Sequence, residues 1–267
     1  MDMSHSPADH LDFHVLFPGL DIGNHSNDAK IDYMFEAGRF DIKTNTSTPA
    51  GEEVFNNYGP KSNDELLLGY GFCIPDNPHN TVPLMPKIPS SELQENVMAS
   101  NPAYFHHPKG AAKPELNPEK ATFQLAAPKA INAPEEIFQY LPESLLELLV
   151  YILHHERGFD FTFIERPREY LDSPDGRRYL PHIVNTIHQS LCAKLQKLEV
   201  SSLQPQANNR QRQAAVYRSD LRRLLLSLIN AFGAYLKSLV CKLRRAIAGS
   251  QRRRAKLIGA SNGKEQS

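Results

Sequence analysis

Apolar residues in this chain change period along its length. Up to about residue 83 they fall in short, partly alternating runs. Phe13 to Phe17, Ile31 to Phe35, Phe40 to Ile42 and Glu53 to Phe55 are separated by turn residues such as Gly38 and Pro49-Ala50-Gly51, which predicts short strands. Asp64 to Leu68 predicts a short helix with Asn63 as its N-cap and Leu66, Leu67 and Leu68 turned inward; Gly69 and Gly71 then break it around Tyr70. The stretch 75–142 is rich in proline, asparagine and histidine and poor in periodic apolar positions. It reads as a long, partly disordered connector with one strand near Ala121 to Ala126.

Beyond it the period is helical. Leu145, Leu148, Leu149, Ile152 and Leu153 mark a helix over Glu143 to Arg157, begun by Pro142. Leu180, Ile183, Val184, Ile187, Leu191, Leu195 and Leu198 form one face of a helix from Tyr179 to Val200. A third, from about Arg210 to Ala248, carries Tyr217, Leu221, Leu224, Leu225, Leu228, Phe232, Leu236, Leu239 and Leu243 as its stripe. Gly249 and Ser250 are expected to end it, leaving 251–267 as a basic disordered tail. The whole predicts an α+β protein: a β-rich segment at 12–84, a connector at 85–134 and an all-helical C-terminal domain at 135–250.

Composition narrows the class. With 267 residues, 40% hydrophobic and 22% charged, the chain can bury a sizeable core. It has no run of about 18 apolar residues and no basic-then-apolar start, so neither a membrane span nor a secretory signal is expected. Cys73, Cys192 and Cys241 form no Cys-x-x-Cys, which points to a reducing compartment, cytoplasmic or nuclear. The net charge of zero conceals an asymmetry: residues 210–267 hold 14 Lys/Arg against Asp220 and Glu265, leaving 16 basic and 28 acidic residues before them. The basic end can attract the acidic part or serve an acidic partner. Arg252-Arg253-Arg254 has no interleaved aromatics for base stacking, so nucleic acid is not the expected partner. His106-His107 and His154-His155 are adjacent pairs that point to different sides, and His182 and His188 lie six apart, so no metal site is expected.

Candidate chemistry concentrates in GEEVFNNYGPKSNDELLLGYGF, residues 51–72, with Asn24-His25-Ser26 upstream. Tyr58 and Tyr70 each precede a glycine and flank an asparagine-rich turn. Tyr hydroxyls and Asn amides need partners when buried, so this pattern suggests a pocket. Each piece alone has a plainer reading: Asn24-His25-Ser26 as a turn, the tyrosines as half-buried core residues, Tyr33 as a strand aromatic and Phe72 as core packing.

In combination, and in this order, NHS (24–26), GEE (51–53), NNYG (56–59), SNDELLL (62–68) and YGF (70–72) resemble the SET-domain lysine methyltransferases, in particular the subgroup typified by the Rubisco large-subunit methyltransferase. The specific likeness covers about residues 14–83, and a looser one, in helix layout, covers 140–245. It implies a knot-like SET core followed by a helical substrate-binding domain, with S-adenosylmethionine as cofactor and a lysine-bearing protein, non-histone, as substrate. Asn24 and His25 match the pair that contacts the cofactor. Tyr58 matches the catalytic tyrosine, Tyr70 and Tyr33 match residues of the lysine channel, and Phe72 matches an aromatic near the adenine. The family's earlier strands and Gly-x-Gly turn have no counterpart before residue 24, so the SET core is expected to be incomplete, its C-terminal half only. Two functional readings therefore stand side by side: a protein-lysine methyltransferase, or a non-catalytic interaction module derived from one.

Overall fold

The structure is a computed structural model that describes residues 17–36, 38–88, 90–100, 102–106, 115–117, 121–128, 133–157, 166–200 and 208–262. It is an α+β protein whose chain divides into two units, Met1–Lys61 and Ser62–Ser267. The division falls ahead of position 84, where the sequence pattern ends its β-rich segment.

In the first unit, β1 (Ile31–Glu36) and β2 (Arg39–Thr44) form an antiparallel hairpin that sets Tyr33 opposite Ile42 and Phe35 opposite Phe40. Gly38, with φ +71°, supplies the left-handed residue that the tight reversal requires. Phe40 collects Phe17 and Phe35 on its ring, at centroid distances of 4.6 and 4.8 Å. The strand expected at Glu53 to Phe55 does not form. Directly after it, Asn56 makes a single parallel bridge to His25. The part of the expected first strand before Phe17 lies outside the described residues. Among residues 17–61 that are described, His25 alone is buried.

The second unit opens with α1 (Asn63–Tyr70). Its N-cap is Ser62 rather than Asn63: the Ser62 amide and hydroxyl both donate to the Glu65 carboxylate, at 2.8 and 2.6 Å, in a capping box. Leu66 is fully buried, whereas Leu68 is 87% exposed, because a single turn cannot send three consecutive side chains inward. Gly71, at φ +80°, closes the helix as a left-handed cap.

The proline-rich stretch is ordered wherever it is described. Strands β3 (Thr81–Leu84) and β6 (Phe123–Ala126) pair antiparallel and bury Val82, Leu84, Phe123 and Leu125. Between them lie α2 (Ser91–Ser100), which buries Leu93 and Val97, and the short pair β4 (Phe105–His106) and β5 (Glu115–Leu116). The strand expected near Ala121 to Ala126 is β6; its partner β3, also four residues, gives too few alternations to register as a pattern. Pro83 sits in a two-stranded sheet, where a missing donor is tolerated.

The helical part matches its periodicity closely. A 3-10 stretch (Pro134–Tyr140) leads into α3 (Glu143–Glu156), then α4 (Pro167–Asp172), α5 (Pro174–Arg177), α6 (Leu180–Val200) and α7 (Asn209–Asn262). Leu145, Leu148 and Leu149 of α3, Ile183, Val184, Ile187 and Leu191 of α6, and Leu224, Leu225, Leu228 and Phe232 of α7 make one continuous core with the β3–β6 sheet. Helix α7 continues through Gly249 and Ser250 to Asn262, so those residues do not end it, and 251–262 are helical rather than a disordered tail. Its stripe leaves the core near Leu239; Leu243 is 62% exposed. By length and composition alone, Asn209–Ser250 is also apolar enough to cross a membrane, a test that core helices satisfy as well; 28% of that apolar window is buried. Three aromatic side chains complete this part: His154 packs on Tyr179 and shares a hydrogen bond with the Tyr170 hydroxyl at 3.0 Å.

Burial first, and then the nearby Arg178 and Arg157 cations, hold the His154 imidazolium pKa below its ordinary value of 6.5. The unfolded chain then binds more protons than the folded one just below pH 6.5, so this residue's contribution is full above that value and is lost as pH falls. His154→Gln should therefore show a shallower loss of urea-melt stability between about pH 7 and pH 5 than the unsubstituted chain. Equal slopes would show that His154 carries no such linkage.

Candidate functional site

In the first unit the geometry begins with backbone. Asn24-His25-Ser26 runs parallel to Asn56-Asn57-Tyr58: the Asn56 amide donates to the Asn24 carbonyl at 2.7 Å, and the Ser26 amide donates to the Asn56 carbonyl at 2.9 Å. Two segments about 30 positions apart in sequence are thereby clamped together. Gly23 is the residue that permits the approach. A Cβ there would stand 3.1 Å from the Asn56 Cβ, closer than most such contacts.

This clamp places the side chains. The Tyr58 amide donates to His25 Nδ1 at 3.1 Å, so the neutral ring carries its proton on Nε2, which faces Asn27 Oδ1 at 3.1 Å. Both ring nitrogens of buried His25 are thus committed to the chain itself. The His25 and Tyr58 rings stack at 5.0 Å with 19° between planes. The Tyr58 hydroxyl donates to the Gly23 carbonyl at 2.7 Å, which fixes the direction of the phenol and points its oxygen lone pairs away from that carbonyl. Asn24, exposed, bonds the Glu53 carboxylate through its amide nitrogen. Tyr33 joins the same group, its hydroxyl donating to Asn56 Oδ1. Four of the six residues singled out in the sequence, Asn24, His25, Tyr33 and Tyr58, therefore meet in this unit.

Asn56 and Asn57 do work that the sequence reading passed over. Asn57 accepts from the Gly59 amide at 2.9 Å and donates to the Ala29 carbonyl at 2.9 Å, holding the turn whose Gly59 has φ +89°. The signal was the double asparagine, a residue type whose side chain mimics backbone in turns.

The second unit carries the other two. Tyr70, half exposed, is the last residue of α1, and its ring meets that of Phe72 edge-on at 6.3 Å across Gly71. Behind them stands a buried polar group. The Asn63 amide side chain pairs both ways with Ile74, donating to its carbonyl and accepting from its amide, each at 2.9 Å. Asp220 of α7 accepts from Asn63 Nδ2 and Asn80 Nδ2, both at 3.1 Å, and from the Asn77 amide at 3.3 Å; Arg223 donates to its other oxygen at 2.6 Å. Asn63, Asn77 and Asp220 are each at most 5% exposed, so nearly every polar atom needs such a partner. Neighbouring Cys73 is buried, and burial together with the Asp220 charge pushes its thiol pKa up, which makes it an inert packing residue rather than a nucleophile. Among the described residues, no His, Cys, Asp and Glu side chains group as metal ligands.

Three comparisons bear on these groups. The chain is 35% identical over 118 residues to ribosomal lysine N-methyltransferase set10 of Schizosaccharomyces pombe, which is 41% of this chain and 21% of that protein. It is 41% identical over 97 residues to SET domain-containing protein 4 of Artemia parthenogenetica, covering 35% of this chain and 24% of the relative. Ribosomal lysine N-methyltransferase 1 of Saccharomyces cerevisiae is 40% identical over 89 residues, which is 33% of this chain and 15% of the relative. The matches thus span a quarter or less of these relatives' own length. No protein-family model matches the chain. Among solved structures, the SET domain of LSMT bound to lysine and AdoHcy superimposes with a TM-score of 0.51 at 22% identity, over 82% of this chain and 49% of that one. The fold is that of a SET-domain protein, and the sequence is similar to SET-domain lysine methyltransferases.

Proposed function

We propose that this chain serves S-adenosylmethionine-dependent methyl transfer to the ε-amine of a protein lysine. The observation that carries the reading is the parallel clamp of Asn24-His25-Ser26 on Asn56-Asn57-Tyr58, which brings the residues of two separate motifs into one group. When bound, S-adenosylmethionine would supply an electrophilic methyl group on a sulfonium.

The residues present suit such a donor. Aromatic faces and oxygen acceptors favour a sulfonium cation, and Tyr58 offers both. Asn24, with Glu53 beside it, is exposed at the edge of the group and would hold the donor's amino-acid end. His25 would act as a brace, since its ring nitrogens serve Tyr58 and Asn27; its share in cofactor binding would come from its backbone and ring face. Tyr33 would line the path of the lysine in the first unit, and Tyr70 and Phe72 of the second unit keep the lysine-channel and adenine roles that the resemblance implies for them. The amine must lose its proton before it attacks the methyl carbon, and an aromatic, poorly solvated path lowers its pKa. As the new N–C bond forms, the C–S electron pair returns to sulfur. Alignment and fixed dipoles then do most of the work, and no strong base is required.

Relatives named for ribosomal lysines make ribosomal proteins the first substrate class to assay. A second reading, a non-catalytic interaction module, draws on a different observation: the continuous core lies in the second unit, whereas 17–61 bury only His25 among their described residues. Titration calorimetry of the full chain with S-adenosylmethionine separates the two. Saturable heat, competed by S-adenosylhomocysteine, is expected; the absence of binding by folded protein would overturn the enzymatic reading and leave the second.

A further inference from the structure

We infer that Asp220, on helix α7, is a positioning residue for Tyr70 and Phe72, with Gln213 as its accessory. The inference rests on the reading of Tyr70 and Phe72 given above, and it concerns a side chain 150 positions away from them in sequence.

The segment from α1 to Phe72 is a closed clasp. It starts at Asn63, whose side chain returns to pair with both backbone groups of Ile74, so twelve residues begin and end at one point. Tyr70 and Gly71, exposed, and Phe72, half-buried, form the crown of that clasp. Inside the clasp, the Gly71 amide bonds the Leu67 carbonyl at 3.2 Å and the Tyr70 and Phe72 rings meet edge-on, which ties the crown to α1. A second fixed point comes from α7, where Gln213, Tyr217 and Asp220 recur at the spacing of a single helix face. Gln213 Oε1 accepts from the Cys73 amide at 2.7 Å, directly after Phe72. Asp220 Oδ2 takes Asn63 Nδ2, together with Asn77 and Asn80 from the chain that follows. Arg223 closes the group from its edge by bridging Asp220 to Asp76, which is held at φ +57°.

The donor count makes Asp220 specific. One oxygen receives three N–H groups from three different asparagines, and the other receives a guanidinium. An ionised carboxylate, acceptor only, satisfies all of them. Asparagine has the same size but presents an amide N–H₂ on one side, so at least one donor would face another donor. Buried hydrogen bonds to a charged group are the stronger class, and leaving their partners unmet is costly. Helix α7 would thus set the crown's orientation through one carboxylate.

The test uses the full chain with 3-fluorotyrosine placed at Tyr70 and compares Asp220→Asn with the unsubstituted residue. In the variant, the Tyr70 fluorine resonance is expected to shift or split. Amides of Cys73 and Ile74 should exchange roughly tenfold faster, as expected for loss of one hydrogen bond to a charged group. Amides of Ile187 and Leu191 in the α6 core should keep their rates. A fluorine line unchanged in folded Asp220→Asn would overturn the inference, since a purely structural role predicts altered stability without a reoriented crown. Should that variant fail to fold, Gln213→Ala removes only the Cys73 contact, and the same shift, smaller, is expected; an unchanged line would equally overturn it. Calorimetry with S-adenosylmethionine on the same samples keeps the two readings apart. If neither protein binds the donor but the fluorine line moves, positioning holds and the methyl-transfer reading fails.

Discussion

Phe232→Ala is expected to cost about 3–5 kcal/mol of folding stability, the largest loss from any single truncation proposed for this chain. Phe232 is fully buried on α7, in the same core cluster as Ile187 and Leu191 of α6, which are also at 0% exposure. Truncation removes the transfer free energy of a ring and leaves a cavity that two long helices cannot close by small shifts. The adjacent Gly233 faces His188, with a built Cβ 3.5 Å from its Nε2, so the helices already approach closely at this level. Urea denaturation followed by circular dichroism measures the change. A loss below about 1 kcal/mol would mean that the α6–α7 packing is not the mainstay of the second unit.

Tyr58→Phe should lower the rate of methyl transfer by about 10²-fold while leaving S-adenosylmethionine affinity nearly unchanged. The ring, and with it the stack on His25, survives the substitution; only the hydroxyl is lost. That hydroxyl donates its proton to the Gly23 carbonyl, which leaves its oxygen lone pairs as acceptors; under the proposed function they would face the transferring methyl. Loss of this bond should also cost about 1 kcal/mol of stability, small enough for the variant to remain folded. Single-turnover transfer to a ribosomal-protein substrate, with donor affinity measured in parallel, checks both halves. An unchanged rate would remove Tyr58 from the catalytic role, and a large loss of donor affinity would recast it as a binding residue.

Much of the helical architecture is written in the chain. Leu145 to Leu153, Leu180 to Leu198 and Leu221 to Phe232 each repeat at helical spacing, and each stripe became a buried face. The errors have identifiable causes. Gly249 and Ser250 did not stop α7, because a helix already running has only propensity to lose at such residues, about 1 kcal/mol for a glycine. Leu68 read as core because it stands beside Leu66, yet helical geometry turns it by two steps onto the outer face. In the proline-rich stretch the strand expected near Ala121 to Ala126 forms as β6, but the sequence pattern does not foresee its partner β3, because its four residues lie about 40 positions earlier and show no clear apolar face alone.

The sequence by itself determined which residues could form a site. NHS, NNYG and YGF are local strings, and their order and residue types carry the resemblance without any coordinates. What only the tertiary structure decided is how those residues are held. Asn56, Asn57 and Gly23 make the clamp beneath Tyr58 and His25, through backbone contacts that any polar turn could have mimicked in sequence. Asp220 reaches Asn63 across 157 positions. Hydrophobic periodicity reports burial on one element's own face, so it predicts elements well. A hydrogen bond between distant side chains leaves no period behind, and appears only when the chain has folded.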